Sequence, residues 1–277
     1  MPDFDSSKAY AAQEEVFFDD GREIELLHYV YGRKDVNEIR GSPEKVLQAI
    51  DDFGRKKYMM NVGEDKGKIV GELIAEVELG GYIGYSCILF GNAVRKAGGK
   101  RYYSLERNPE FGAVISSLVD LAGLGDVVKV EIGSSDASIK RLHETGALEH
   151  IDLMFLDHYK PAYKTDLKLC EELKLVTPGS VLAADNVIKP GNPSYLEYVR
   201  ATPKQKQEWT QQTNGQSAPD VRFQDKTVQQ YANRGESTAL HASPGNPKLV
   251  YDSKLVHSFE PTGDPDGIEI SRCTGEE

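Results

Sequence analysis

Between residues 74 and 184 short apolar runs alternate with amphipathic ones, and this alternation limits the fold more than any other feature. Strands are expected at 74–79, 101–106, 127–132, 151–156 and 180–184. The run 151–156 is apolar almost throughout, as a strand covered on both faces must be. Between the strands lie helical patterns. Asn108-Pro109 opens one that carries Phe111, Val114, Ile115, Leu118 and Val119 on one face, and another spans 165–175, before Pro178-Gly179. Such β-α-β-α order predicts a doubly wound α/β fold, a mostly parallel sheet with helices on both faces.

The flanks read differently. Residues 1–20 look like a loose tail, and 21–277 like one domain. A helix is expected over 22–31. A second begins at Ser42-Pro43, with Ser as cap, Pro in the first turn, and Val46, Leu47, Ile50 and Phe53 on one face. Residues 203–247 are rich in Gln, Asn, Ser, Gly and Pro, and read as a polar, flexible insertion. Runs at 249–259 and 267–273 then suggest a closing antiparallel hairpin around Asp264-Pro265-Asp266-Gly267.

Charge narrows the function. The 277 residues carry 33 Lys plus Arg against 44 Asp plus Glu, a net −11, which argues against a surface built to neutralise nucleic-acid phosphates. Cys87, Cys170 and Cys273 are too far apart in sequence for a C-x-x-C pair, so a reduced compartment is expected. The acidic first residues lack a targeting pattern, and no run reaches the roughly 18 apolar residues of a membrane span. A cytoplasmic protein acting on a small molecule, with no membrane or nucleic-acid partner, is the expectation.

Two places carry chemistry. In Glu78-Leu79-Gly80-Gly81-Tyr82-Ile83-Gly84-Tyr85-Ser86, glycines let the backbone turn tightly and approach a ligand. The spacing is not that of the dinucleotide fingerprint. Instead, Glu78 can face a cationic ligand. Glu106 ends the next strand, at about the 20-residue distance where a ribose hydroxyl pair is held. A ribose with a positive centre fits S-adenosylmethionine; the plain alternative is a solvated glutamate at a strand end. Further on, Asp157 and Lys160 follow one apolar strand, and Asp185-Asn186 the next. Adjacent parallel strands would set Asp157, Asp185 and Asn186 side by side, an oxygen donor set suited to Mg²⁺. Taken singly, each carboxylate could equally cap a helix.

With Met60-Asn61-Val62-Gly63, Lys66-Gly67-Lys68, the 78–86 run, Asp157-His158-Tyr159-Lys160 and Ala184-Asp185-Asn186-Val187 together, the sequence resembles the catechol O-methyltransferase family over about 23–200 and again from about 249. The resemblance implies a class I, Rossmann-like methyltransferase with a seven-stranded sheet whose final strand is antiparallel. It implies cofactor contacts at Asn61, Val62, Glu78, Gly80, Tyr82, Ser86, Glu106, Ser135 and His158. It also implies Mg²⁺ ligation by Asp157, Asp185 and Asn186, and a general base at Lys160. Glu260 matches the glutamate that receives the second catechol hydroxyl. Tyr58 and Tyr159 stand where the animal enzymes have tryptophans that wall the ring pocket. The implied partner is a small catechol, and the expected state a monomer or weak dimer.

Other readings stay open: a Mg²⁺-dependent enzyme for other vicinal diols such as caffeate-like phenols, a nicotinamide oxidoreductase, or a non-catalytic chain of the same fold. The last is motivated by the first strand. The stretch from Lys66 to Glu78 is short for both a full helix, at about 1.5 Å per residue, and a full strand, at about 3.3 Å. Either the helix ends early, near Gly71, or the strand is stunted, with weakened cofactor binding as the consequence.

Overall fold

The computed structural model describes residues 4–73, 77–79, 81–212, 240 and 242–277. They fall into two compact units, one of residues 1–138 and 257–267, the other of 139–256 and 268–277.

The first unit begins with helices α1 (Arg22–Tyr31), α2 (Val36–Ile39), α3 (Pro43–Gly54) and α4 (Gly63–Gly71). Strand β1 (Val77–Leu79), helix α5 (Tyr85–Lys96), β2 (Tyr102–Glu106), α6 (Pro109–Leu121) and β3 (Val128–Ile132) follow. Helix α3 starts as its sequence dictates. Ser42 Oγ accepts from the Lys45 N–H, Pro43 sits in the first turn, and Val46, Leu47, Ile50 and Phe53 are all buried. Asn108 caps α6 in the same way, accepting from the Glu110 N–H, and Val114, Ile115 and Leu118 fill the core. Strands β2 and β3 are parallel, with Tyr102 opposite Val128 and Glu106 opposite Ile132. Helix α4 ends at Gly71, the first of the two expected outcomes, and the described part of β1 is Val77–Leu79. Residues 74–76, expected to begin that strand, lie outside the described residues.

The loose tail expected over 1–20 is not what this unit contains. Tyr10 and Phe18 are buried, the Tyr10 N–H donates to the Pro261 carbonyl, and the Ala11 N–H donates to that of Gly54. Burying one such side chain is worth about 1.5–3 kcal/mol, which can hold an otherwise polar segment in place.

In the second unit, β4 (Leu153–Leu156) and β5 (Val181–Ala184) are parallel, Leu156 opposite Ala184. Strand β7 (Pro265–Glu276) runs antiparallel to β5, with Ala184 opposite Glu269, and β6 (Leu249–Phe259) lies beside β7. Helix α7 (Ser135–Glu144) leads into this unit, and α8 (Ala162–Glu172) follows β4. Helix α8 starts three residues before the expected 165, directly after Pro161, whose fixed φ suits a helix start. Helices α9 (Pro193–Arg200) and α10 (Pro203–Gln212) come next.

Helix α10 corrects one end of the expected flexible stretch. Lys206 is buried, donates to the Leu249 carbonyl at 2.8 Å and lies 4.9 and 4.4 Å from the ring centroids of Tyr198 and Tyr251. The other end is held too. Fully buried Glu171 accepts from Tyr198 Oη, Tyr251 Oη and the Asn246 N–H, and Ser243 Oγ donates to the Lys168 carbonyl. Polar composition misled here because these ends dock through a buried charge cluster instead of an apolar face. Residues 213–239 and 241 lie outside the described residues.

Candidate active site

In the first unit the glycine-rich turn runs against the end of β2. A Cβ on Gly81 would sit 2.5 Å from Ile115 Cδ1 and 2.6 Å from Ser104 Oγ, so a larger residue requires those side chains to move. Gly84, at φ +86°, turns the chain into α5, whose first turn holds the buried Ser86. Between them Tyr82 adopts φ +41°, a conformation that costs a non-glycine residue about 1 kcal/mol or more. Two hydrogen bonds hold it there: its N–H donates to Glu106 Oε2 at 3.0 Å, and its hydroxyl donates to Glu23 Oε1 at 2.9 Å. Burial, then the Glu23 carboxylate, pushes the Tyr82 phenol well above its ordinary value, so it remains a donor. Glu106 also accepts from the Asn108 N–H through Oε1. Tyr82 and Glu106 are thus brought together.

Asn61 and Val62, both buried, lead into α4. Asn61 Nδ2 donates to Tyr10 Oη at 3.2 Å, and Tyr10 Oη donates to Asp51 Oδ1 at 2.5 Å. Burial raises the Asp51 carboxyl above its ordinary value. Among the described residues Asn61 Oδ1, which is buried, has no hydrogen-bond partner, and such an orphan acceptor fits a ligand donor. Buried Tyr58 has its carbonyl held by Arg22 Nη1 at 2.7 Å and packs edge-on to Phe17. Ser135 opens α7 and is half-buried. Glu78 lies in β1; Gly80 lies outside the described residues. Glu260 follows β6 and is bound by Lys66, 2.5 Å from Oε1, a partner that sequence reasoning missed.

In the second unit Leu156 and Ala184 are paired, so Asp157 and Asp185 leave adjacent strand ends, as expected. Buried Lys160 donates to Asp157 Oδ1 at 3.1 Å and to Tyr163 Oη at 2.7 Å, and Tyr163 Oη donates to the Asp185 carbonyl at 3.3 Å. Tyr163 was missed, although it lies one helical turn beyond Lys160 and that spacing could have found it. Asp185 is buried and its Oδ1 accepts from the Asn186 N–H. Asn186 itself adopts φ +58°, which asparagine tolerates. Asn192 Nδ2 holds the Lys160 carbonyl at 2.8 Å. His158 Nε2 pairs with Asp166 Oδ2 at 2.8 Å and the ring stacks on Tyr163, while the buried Nδ1 has no partner among the described residues. Tyr159 is half-buried between these residues in sequence. Asp157, Asp185 and Asn186 supply only oxygen donors, which fits a hard divalent cation. A cation and a lysine beside the same strand ends can together deprotonate a bound hydroxyl.

A methyltransferase-domain family matches residues 77–187. A crystal structure of an O-methyltransferase from Bacillus cereus in complex with SAH superposes with TM-score 0.55 at 21% identity, covering 90% of this chain and all of that one. The fold is therefore the class I, Rossmann-like fold of S-adenosylmethionine-dependent methyltransferases. Catechol O-methyltransferase from Bos taurus is 40% identical over 169 residues, 58% of this chain and 61% of the relative. The enzyme of that name from Sus scrofa is 39% identical over 151 residues, 52% of this chain and 80% of the relative. The chain belongs to the catechol O-methyltransferase family, and spans 61% of the length of the bovine relative it matches. Among the described residues no helix is long and apolar enough to cross a membrane.

Proposed function

We propose that this chain transfers a methyl group from S-adenosylmethionine to one hydroxyl of a catechol, with a divalent cation, residues 21–277 acting as one methyltransferase domain on the seven-stranded sheet of its class. The observation that carries the reading is the arrangement of Asp157, Lys160, Tyr163 and Asp185 at two paired strand ends.

Asn61, Val62, Tyr82, Ser86, Glu106, Ser135 and His158, with Glu78 and Gly80, would hold the cofactor. The unpartnered Asn61 Oδ1 and His158 Nδ1 support this. Asp157, Asp185 and Asn186 would hold Mg²⁺. When bound, the sulfonium supplies an activated methyl group, and the cation supplies a Lewis acid that makes a catechol hydroxyl easier to ionise. Lys160 Nζ takes the proton from the hydroxyl oxygen, held in place by Tyr163 Oη and Asp157 Oδ1. Glu260 accepts from the second hydroxyl, and Tyr58 and Tyr159 line the ring. Most of the protein's work is then orientation, which can supply the larger part of such a rate enhancement. The test is incubation with S-adenosylmethionine, Mg²⁺ and catechol, with product analysis by mass spectrometry. A monomethylated catechol is expected; its absence at saturating reagents overturns the reading.

A second reading follows from the few residues between Lys66 and Glu78, of which α4 takes those up to Gly71: a chain of this fold with weakened cofactor affinity. Calorimetric titration with S-adenosylmethionine separates the two. Micromolar affinity supports the enzyme, and no measurable heat supports the impaired chain.

A further inference from the structure

The side chain of Lys66 in α4 is wholly excluded from solvent, and it reaches two carboxylates about 200 residues away in sequence. Its Nζ lies 2.5 Å from Glu260 Oε1 and 2.6 Å from Asp266 Oδ2. Asp266 is equally buried, whereas the Glu260 side chain keeps 20% exposure. Of the three, only Glu260 is open to a ligand.

The turn carrying Glu260 is fastened elsewhere as well. The Glu260 N–H donates to the Asp264 carbonyl, and the Gly263 N–H donates back to the Glu260 carbonyl, both at 2.8 Å. Pro261 packs so close to Gly63 that a Cβ there would lie 2.7 Å from the ring. The Tyr10 N–H holds the Pro261 carbonyl at 2.9 Å, and Phe4 packs on Phe259. Backbone hydrogen bonds and packing therefore fix the backbone of this turn without the ion pair. A buried ion pair is poor value for stability, because apolar residues of similar volume do as well or better. What the charge adds is a fixed direction: an ammonium bound to one oxygen of Glu260 and anchored on Asp266 sets the rotation of the Glu260 carboxylate.

We propose that Lys66 is a positioning residue: held by Asp266, it orients Glu260 to receive the second hydroxyl of a bound catechol, and so decides which hydroxyl is methylated. This rests on the catechol methyltransferase reading above. It adds a residue outside the cofactor and metal sets, and makes the meta-to-para product ratio a property of the Lys66–Glu260 contact.

The test compares wild type, K66M and E260Q on a catechol with one ring substituent. It measures kcat, KM, the meta-to-para ratio, S-adenosylmethionine affinity by calorimetry, and thermal midpoint. Losing one charge-assisted hydrogen bond corresponds to a change of roughly tenfold or more. K66M should raise the catechol KM by about that factor and move the product ratio towards unity, in the same direction as E260Q, with cofactor affinity unchanged within about twofold. If K66M does not fold, K66Q/D266N keeps neutral hydrogen-bonding groups at both places and should shift the ratio likewise. A folded variant with the wild-type ratio and KM overturns the inference alone, as does a change confined to the thermal midpoint. A wild type that methylates no catechol while binding cofactor overturns the activity, and the inference with it.

Discussion

The two units hold their candidate residues over very different sequence distances. In the second, Lys160 is tied to Asp157 and Tyr163 three residues away, His158 to Asp166 eight away, and Tyr163 to Asp185 across one strand pair. In the first, Asn61 is held by Tyr10, Tyr82 by Glu23, Tyr58 by Arg22 and Glu260 by Lys66, partners 51, 59, 36 and 194 residues away. The groups proposed for proton chemistry are thus fixed by their own loop and the helix after it. Of the groups assigned to binding, Asn61, Tyr58, Tyr82 and Glu260 are held by segments that must first fold against them, whereas His158 is held locally like its neighbours. Substitutions in the second unit should therefore act on turnover, and those at the remote supports of the first on affinity or selectivity.

The largest effect is expected at Asp185. Its replacement by Ala removes a charge from the proposed cation set, and kcat should fall by about 100-fold or more, as for other preorganised electrostatic groups. A variant within tenfold of wild type in steady-state turnover would break the assignment. Next is K160A, which should lower kcat by about 100-fold, the usual scale for a general base, while calorimetry finds cofactor affinity unchanged. Equal losses in turnover and cofactor affinity would place Lys160 with the binding groups and blur the contrast.

Glu171 sharpens the comparison from outside the site. Complete burial pushes its carboxyl above the ordinary 4.5, against the pull of Tyr198, Tyr251, Asn246 and Lys206. A raised folded-state value means that the native chain holds the proton more tightly than the unfolded one. The stabilisation is fully present below 4.5 and is lost as pH rises through the folded value. The difference in thermal midpoint between wild type and E171Q should therefore shift against the wild type as pH rises from 4.5. A difference independent of pH would show that burial does not set this group.

The smallest effect is expected for Y10F. It removes the hydroxyl between Asp51 and Asn61 at a cost of about 1 kcal/mol, and should weaken S-adenosylmethionine binding several-fold in calorimetry with little change in kcat. A drop in kcat at unchanged affinity would reverse the pattern drawn for the first unit.

The same contrast decides what could be read in the amino-acid order. The placement of Asp157, Lys160, Asp185 and Asn186 was legible because each follows an apolar strand within a few residues, and parallel pairing sets strand ends side by side. Helices α3 and α6 announce themselves through Ser42-Pro43 and Asn108-Pro109. Lys66 entered only as part of the Lys66-Gly67-Lys68 motif, since nothing in its neighbourhood reveals Glu260 or Asp266. Tyr10 lay in a stretch that reads as a tail, because its burial depends on Gly54, Asp51 and Pro261. Lys206 and Glu171 escaped because a buried charge cluster leaves no apolar periodicity. Local chemistry is written locally; support from 50 or 200 residues away exists only once the chain has folded.

The claim on which all of this depends is cation-assisted transfer to a catechol. It is tested most directly by following labelled methyl transfer from S-adenosylmethionine to catechol in metal-free buffer while Mg²⁺ is added, with a parallel series in excess chelator. Cation-assisted transfer requires a rate that rises to saturation with Mg²⁺ and vanishes in chelator, with cofactor binding intact by calorimetry. A rate indifferent to both would contradict it.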